Sequence, residues 1–95
     1  MARTPAGGRR LDILEWLKEP DRHFPAQRHG DPAADGVTAG AVAARLGVHR
    51  RVARSHLALL ADLGLLRTKR IRHRTFYRRD EPRIAEVSRL FQEGW

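Results

Sequence analysis

A mainly α-helical fold carrying one β-hairpin is what this sequence predicts, and three observations predict it. Apolar residues recur at helical spacing in four separate segments. Two of those segments are joined through Gly47 with no room for more than a tight turn. The stretch 65–79 is rich in β-branched and aromatic residues and is broken by a polar tip. At 95 residues, 41% of them hydrophobic, the chain fits one domain, 1–95, with a thin core.

The first helix is expected over 9–18, with Leu11, Ile13, Leu14 and Leu17 as its apolar face and Trp16 beside it. Pro20 ends it, because the residue before a proline avoids helical angles. A loop is expected over 19–36, where Pro20, Pro25, Pro32, Gly30 and Gly36 break any helical or strand period. A loop of that length inside a small domain is usually functional or mobile. Thr38 then serves as an N-cap, and Val37 can staple onto Val42 across the first turn. That helix runs to Leu46, and Gly47 supplies the left-handed residue that commonly ends one. The next helix spans about His49 to Asp62 and completes a pair over 38–63; Ala53, Leu57, Leu60 and Ala61 mark its inner face, and Gly64 closes it. A hairpin follows over 65–79 with Arg72-His73-Arg74 at its tip, which lacks the usual Gly or Asn. The last helix is expected over 81–93, opened by Pro82, with Ile84, Val87, Leu90 and Phe91 as a narrow apolar face.

Charge points to a partner. Eleven of the 19 Lys and Arg residues lie between Arg45 and Arg79 against one acid, Asp62. The other 60 residues hold 8 basic and 10 acidic side chains. A positive excess confined to one segment is the electrostatic footprint of a polyanion-binding surface. With no cysteine, disulfides and thiolate metal or redox chemistry are excluded. No apolar run approaches the roughly 18 residues of a membrane span, and the first eight residues hold no signal-like apolar stretch, so a cytoplasmic location is expected.

Two short helices around a glycine turn, followed by an arginine-rich hairpin, describe a winged helix-turn-helix. A helix about 10–12 Å across fits the major groove of B-DNA, about 12 Å wide. Base-reading groups then lie on the exposed face near the start of the second helix, where the sequence places His49, Arg50, Arg51, Arg54 and Ser55. Arginine can donate two hydrogen bonds to guanine O6 and N7, so G·C pairs are expected beneath it. Lys69, Arg70, Arg72 and Arg74 on the hairpin suit phosphates or a neighbouring minor groove.

The segments Gly36-Val37-Thr38, Leu46-Gly47-Val48, Ser55-His56-Leu57, Leu60-Ala61-Asp62-Leu63-Gly64-Leu65-Leu66 and Phe76-Tyr77 resemble the arsenic-repressor-like (ArsR) family of bacterial winged-helix regulators. The resemblance covers roughly Arg9 to Phe91 and is most specific from Thr38 to Tyr77. It implies a homodimer joined by its first and last helices, each subunit setting a recognition helix and a wing on palindromic double-stranded DNA. His56-Leu57 matches a His-Leu pair of the recognition helix in that family. Many members repress transcription and release DNA when an effector, often a metal ion, binds. This chain departs from the family's metal sensors: it has no cysteine, and the segment 81–94 has no histidine. The run His49-Arg50-Arg51-Val52 is more basic than the polar run usual there, and the loop 19–36 is longer than in compact members.

Other chemistry finds little support. Glu19, Asp21, His23, His29, Asp31 and Asp35 offer ligands that Ni²⁺ or Zn²⁺ accepts, His23 and His29 being the ones to test. No pair has His-x₃-His spacing, so a solvated polar loop is expected instead, with no cofactor. Ser55 and His56, adjacent on a helix, point about 100° apart and cannot act as nucleophile and base; no enzyme is expected. Leu11, Leu14, Trp16, Val87, Leu90 and Phe91 fit a dimer interface, because Leu90 and Phe91 are more apolar surface than a monomer usually leaves open. Two functional classes stay open: a sequence-specific, repressor-like DNA-binding regulator, and a winged-helix interaction module or non-specific nucleic-acid binder.

Overall fold

The computed structural model describes residues 7–27, 30–92 and 94–95. Helix α1 (Gly7–Trp16) begins and ends two residues earlier than its expected span. Its inner face, Ile13, Leu14 and Trp16, is buried together with Leu17 in the turn that follows, whereas Leu11 is exposed. The expected loop is not structureless. Pro20, whose fixed φ suits a first helical turn, opens a single-turn helix α2 (Pro20–His23), and Phe24 after it drops into the core.

A short strand, β1 (Val37–Thr38), precedes α3 (Ala39–Leu46). Thr38 ends the strand and caps the helix, its Oγ1 accepting from the Ala41 N–H at 3.2 Å. Val37 and Val42 are fully buried, as a staple across the first turn requires. At φ 71° Gly47 adopts the left-handed turn that ends α3, and α4 (Arg50–Asp62) starts three residues on. Val42 and Ala43 of α3 and Ala53 and Leu57 of α4 are buried together in the core, each large apolar side chain contributing about 1.5–3 kcal/mol.

The hairpin pairs β2 (Leu66–Ile71) with β3 (Arg74–Arg79) in antiparallel register, Leu66 opposite Arg79 and Ile71 opposite Arg74. Its loop is therefore the two residues Arg72 and His73, with φ of 49° and 67°. Positive φ at both positions is what a two-residue turn matched to strand twist demands, and the chain meets it without glycine or asparagine. The sheet has three strands rather than two, in the order β1-β3-β2, because Val37 pairs with Tyr77 and Thr38 with Phe76. Gly36 makes that third strand fit: at φ 101°, a Cβ there would sit 2.1 Å from the Tyr77 carbonyl oxygen.

Helix α5 (Glu81–Phe91) is capped by Asp80, whose carboxylate accepts from the Arg83 N–H, and is closed by Gln92 in the left-handed region. It ends short of the expected 93, a residue outside those described. Ile84 and Ser88 are its buried residues. Helices α3 and α4 with a three-stranded wing behind them make this a winged helix-turn-helix.

Candidate nucleic-acid interface

Helix α4 sorts its basic residues by angle. Ala53, Leu57 and Leu60 hold it to the core, and at about 100° per residue Arg51 and Ser55 fall roughly opposite them, exposed. Arg50 and Arg54 fall on one flank. His49 is the helix N-cap, its Nδ1 accepting from the Arg51 N–H at 3.0 Å, so its ring is held back against the first turn.

The flank faces the wing. Arg50, Arg54, His73, Arg74, Thr75 and Tyr77 join Thr38, Ala39 and Gly40 around an open cleft of about 490 Å³. Arg50 does not reach outward: its guanidinium lies over the first turn of α3, where a Cβ on Gly40 would meet Nε at 3.6 Å. Arg74 also borders a second, more apolar cavity of about 290 Å³ with Pro25, Gln27, Ala41 and Phe76.

The hairpin's cations divide. Lys69 is paired with Asp35 at 2.6 Å, and that hydrogen bond holds the Asp35 carboxyl below its ordinary value of 3.8. Asp35 in turn accepts from the Asp31 N–H at 2.8 Å, so the turn 31–35 ties the long loop to β2. Arg67 meets Asp80 at 3.7 Å. Arg70 donates to the His73 carbonyl at 3.4 Å, and Arg72 stands exposed in the turn. Among the described residues, Arg50, Arg51, Arg54, Arg70, Arg72 and Arg74 take part in no ion pair.

Comparison with known proteins joins the geometry here. A stretch of 79 residues, 83% of the chain, is 38% identical to 79% of YbzH, an uncharacterized HTH-type transcriptional regulator of Bacillus subtilis (strain 168). This chain belongs to the HTH-type transcriptional regulators. No protein-family model matches it.

In this helix-turn-helix regulator several residues lie elsewhere than the sequence reading placed them. Leu14 and Trp16 are core, not interface: Leu14 is 3% exposed, and Trp16 packs edge-on against Phe24 at 6.4 Å under the Arg45 guanidinium at 4.9 Å. The apolar surface that remains is Leu11, Leu90 and Phe91, with Val87 half-buried and Trp95 6.2 Å from the Phe91 ring. Leu59 on α4 and Leu63 at its C-cap are exposed as well. His23 stacks beside Trp16 at 6.5 Å and meets Arg45 at 3.4 Å, while His29 lies outside the described residues. Among the described residues no three His, Asp or Glu side chains gather as a metal site would need. No helix among them is long and apolar enough to cross a membrane.

Three residues of the regulator escaped the sequence reading. Arg79 was counted in the basic footprint, yet it points inward, 7% exposed. It donates to Glu81 at 2.7 and 3.1 Å, to the Leu14 carbonyl at 2.7 Å and to the Trp95 backbone oxygen at 2.7 Å. Glu81, two residues downstream, was the available signal; the Arg79 bond holds its carboxyl below the ordinary 4.5. His56 is buried against α1, its Nδ1 3.2 Å from Arg10. Burial first, then the charges of Arg10 and Arg9, push its imidazole below the ordinary 6.5. Asp35, weighed only as a metal ligand, is the counter-charge of Lys69.

Proposed function

We propose that this regulator is a sequence-specific, homodimeric repressor of the arsenic-repressor-like kind, acting on palindromic double-stranded DNA in the cytoplasm. The observation that carries the reading is the convergence of unneutralised arginines from two elements, α4 and the wing, onto one surface. A polyanion with a groove is the partner that fits a protruding helix flanked by such charges. His49, Arg50, Arg51, Arg54 and Ser55 on or beside α4, with Arg70, Arg72 and Arg74 on the wing, are the proposed contacts; Lys69 reaches DNA only if it leaves Asp35. Exposed Leu11, Leu90 and Phe91 support pairing through α1 and α5.

The test is selection of bound duplexes from a random pool at about 150 mM salt, where binding to phosphates alone is suppressed. Enrichment of an inverted repeat, with half-sites about 34–36 Å apart, is the expected result. A pool that stays random would leave a non-specific binder or an interaction module in its place.

A further inference from the structure

Arg50, Arg54 and Arg74 share one cleft, and none of the three has a carboxylate partner among the described residues. Four other cations of the wing and its surroundings are neutralised, Lys69 by Asp35, Arg67 by Asp80, Arg79 by Glu81 and Arg83 by Glu86, whereas Arg70 and Arg72 are unpaired among the described residues but do not line the cleft. Three like charges left facing one open space, with the α3 cap residue Thr38 at its edge, fit an anion. The cleft lies beside the outward face of α4, not on it. A group seated there cannot be a base edge lying under Arg51 and Ser55. The group that fits is the sugar-phosphate strand that would run past such a groove toward the wing.

Resting on the DNA-binding reading above, we propose that the cleft between α4 and the wing seats a backbone phosphodiester. Arg50, Arg54 and Arg74 are then blind to sequence, and base reading falls to Arg51 and Ser55. This divides a set that the sequence presents as one basic run, Arg50-Arg51, into two roles set by helix angle. Arg50, folded over Gly40, supplies charge; Arg51, roughly opposite the core stripe, supplies the forked donor pair.

The experiment titrates the full chain with its selected duplex and with a shuffled duplex across a salt series. Wild type, Arg50→Ala, Arg50→Lys, Arg51→Ala and Arg51→Lys are compared, with thermal midpoints checking that each variant folds. Arg50→Ala is expected to weaken both duplexes by the same factor and to flatten the dependence of log K on log salt by about 1. Arg50→Lys restores affinity and slope, because a phosphate needs the charge more than the fork. Arg51→Ala weakens the selected duplex alone, by about tenfold or more, and Arg51→Lys does not restore it. A loss in Arg50→Ala confined to the selected duplex, or an unchanged slope, overturns the proposal. Were wild type to prefer no duplex, the sequence-specific reading would fail while the slope on shuffled duplex still judged the seat. Binding to neither duplex overturns both.

Discussion

Removing the Arg79 guanidinium would strand the Leu14 carbonyl, the Trp95 backbone oxygen and both carboxylate oxygens of Glu81 at once. Hydrogen bonds from a charged donor contribute about 1.5–3 kcal/mol each at most, and Glu81 is solvated enough to recover part of its loss. Arg79→Met should therefore lower stability by about 2–4 kcal/mol, read as a fall in denaturant midpoint, with Glu81→Gln costing distinctly less. His56 makes the protein sensitive to mild acid. Burial and the neighbouring Arg10 make the folded chain take up this proton less readily than the unfolded chain, which does so near the ordinary value of 6.5. The unfolded state then binds more protons, so the His56 contribution is whole above that pH and is lost as pH falls toward the lowered folded value. Wild type should lose thermal stability between about pH 7.5 and 5.5, and His56→Gln should show a flatter profile. Glu81 acts in a separate window, its contribution present above 4.5 and lost in stronger acid.

Gly36 governs whether β1 forms. An alanine there would meet the Tyr77 carbonyl and would carry a side chain at φ 101°, so Gly36→Ala should cost on the order of 3 kcal/mol. Amide exchange should report the damage locally, with Val37 and Thr38 losing protection while α4 keeps its own. The helix-turn-helix was legible in the sequence because local chemistry fixes it: Thr38 caps, Gly47 turns, and Val42, Ala53 and Leu57 keep helical spacing. Strand β1 was not, since two residues carry no period and pair only with β3, far along the chain. Helix α2 hid for a related reason, four residues opening on a proline giving no repeat to read. Which α4 side chains stand off the core stripe was legible in the sequence, while which of them turn toward the wing was not. Composition counts arginines, and only the angle round the helix and the place of the wing separate Arg50 from Arg51.

Taken as a whole, the molecule exposes, among the described residues, unpaired arginines on α4 and the wing and large apolar side chains on α1 and α5. Leu90 and Phe91 are 77% and 65% exposed, against 3% for Leu14, so substitutions at the two ends of this range should part company. On the proposed pairing through α1 and α5, Leu90→Lys should leave the subunit folded, halve the mass in sedimentation and weaken binding to a palindromic duplex. Leu14→Ala should destabilise by about 2–5 kcal/mol whatever the assembly state. The inward turn of Trp16 was the chief misreading at this scale, because a large aromatic beside an apolar stripe reads alike whether it meets a partner or its own chain.

The turn of Arg72 and His73 bears on how such a molecule can be bred. Asparagine and glycine would sit there with less strain, by about 1 kcal/mol or more, so a library sorted for heat resistance should drift toward that pair. The same drift would strip a cation from the wing's turn, and on the proposed DNA contacts sorting for operator affinity should pull the other way. Heat-selected descendants would then be sturdier proteins with a weaker hold on their genes.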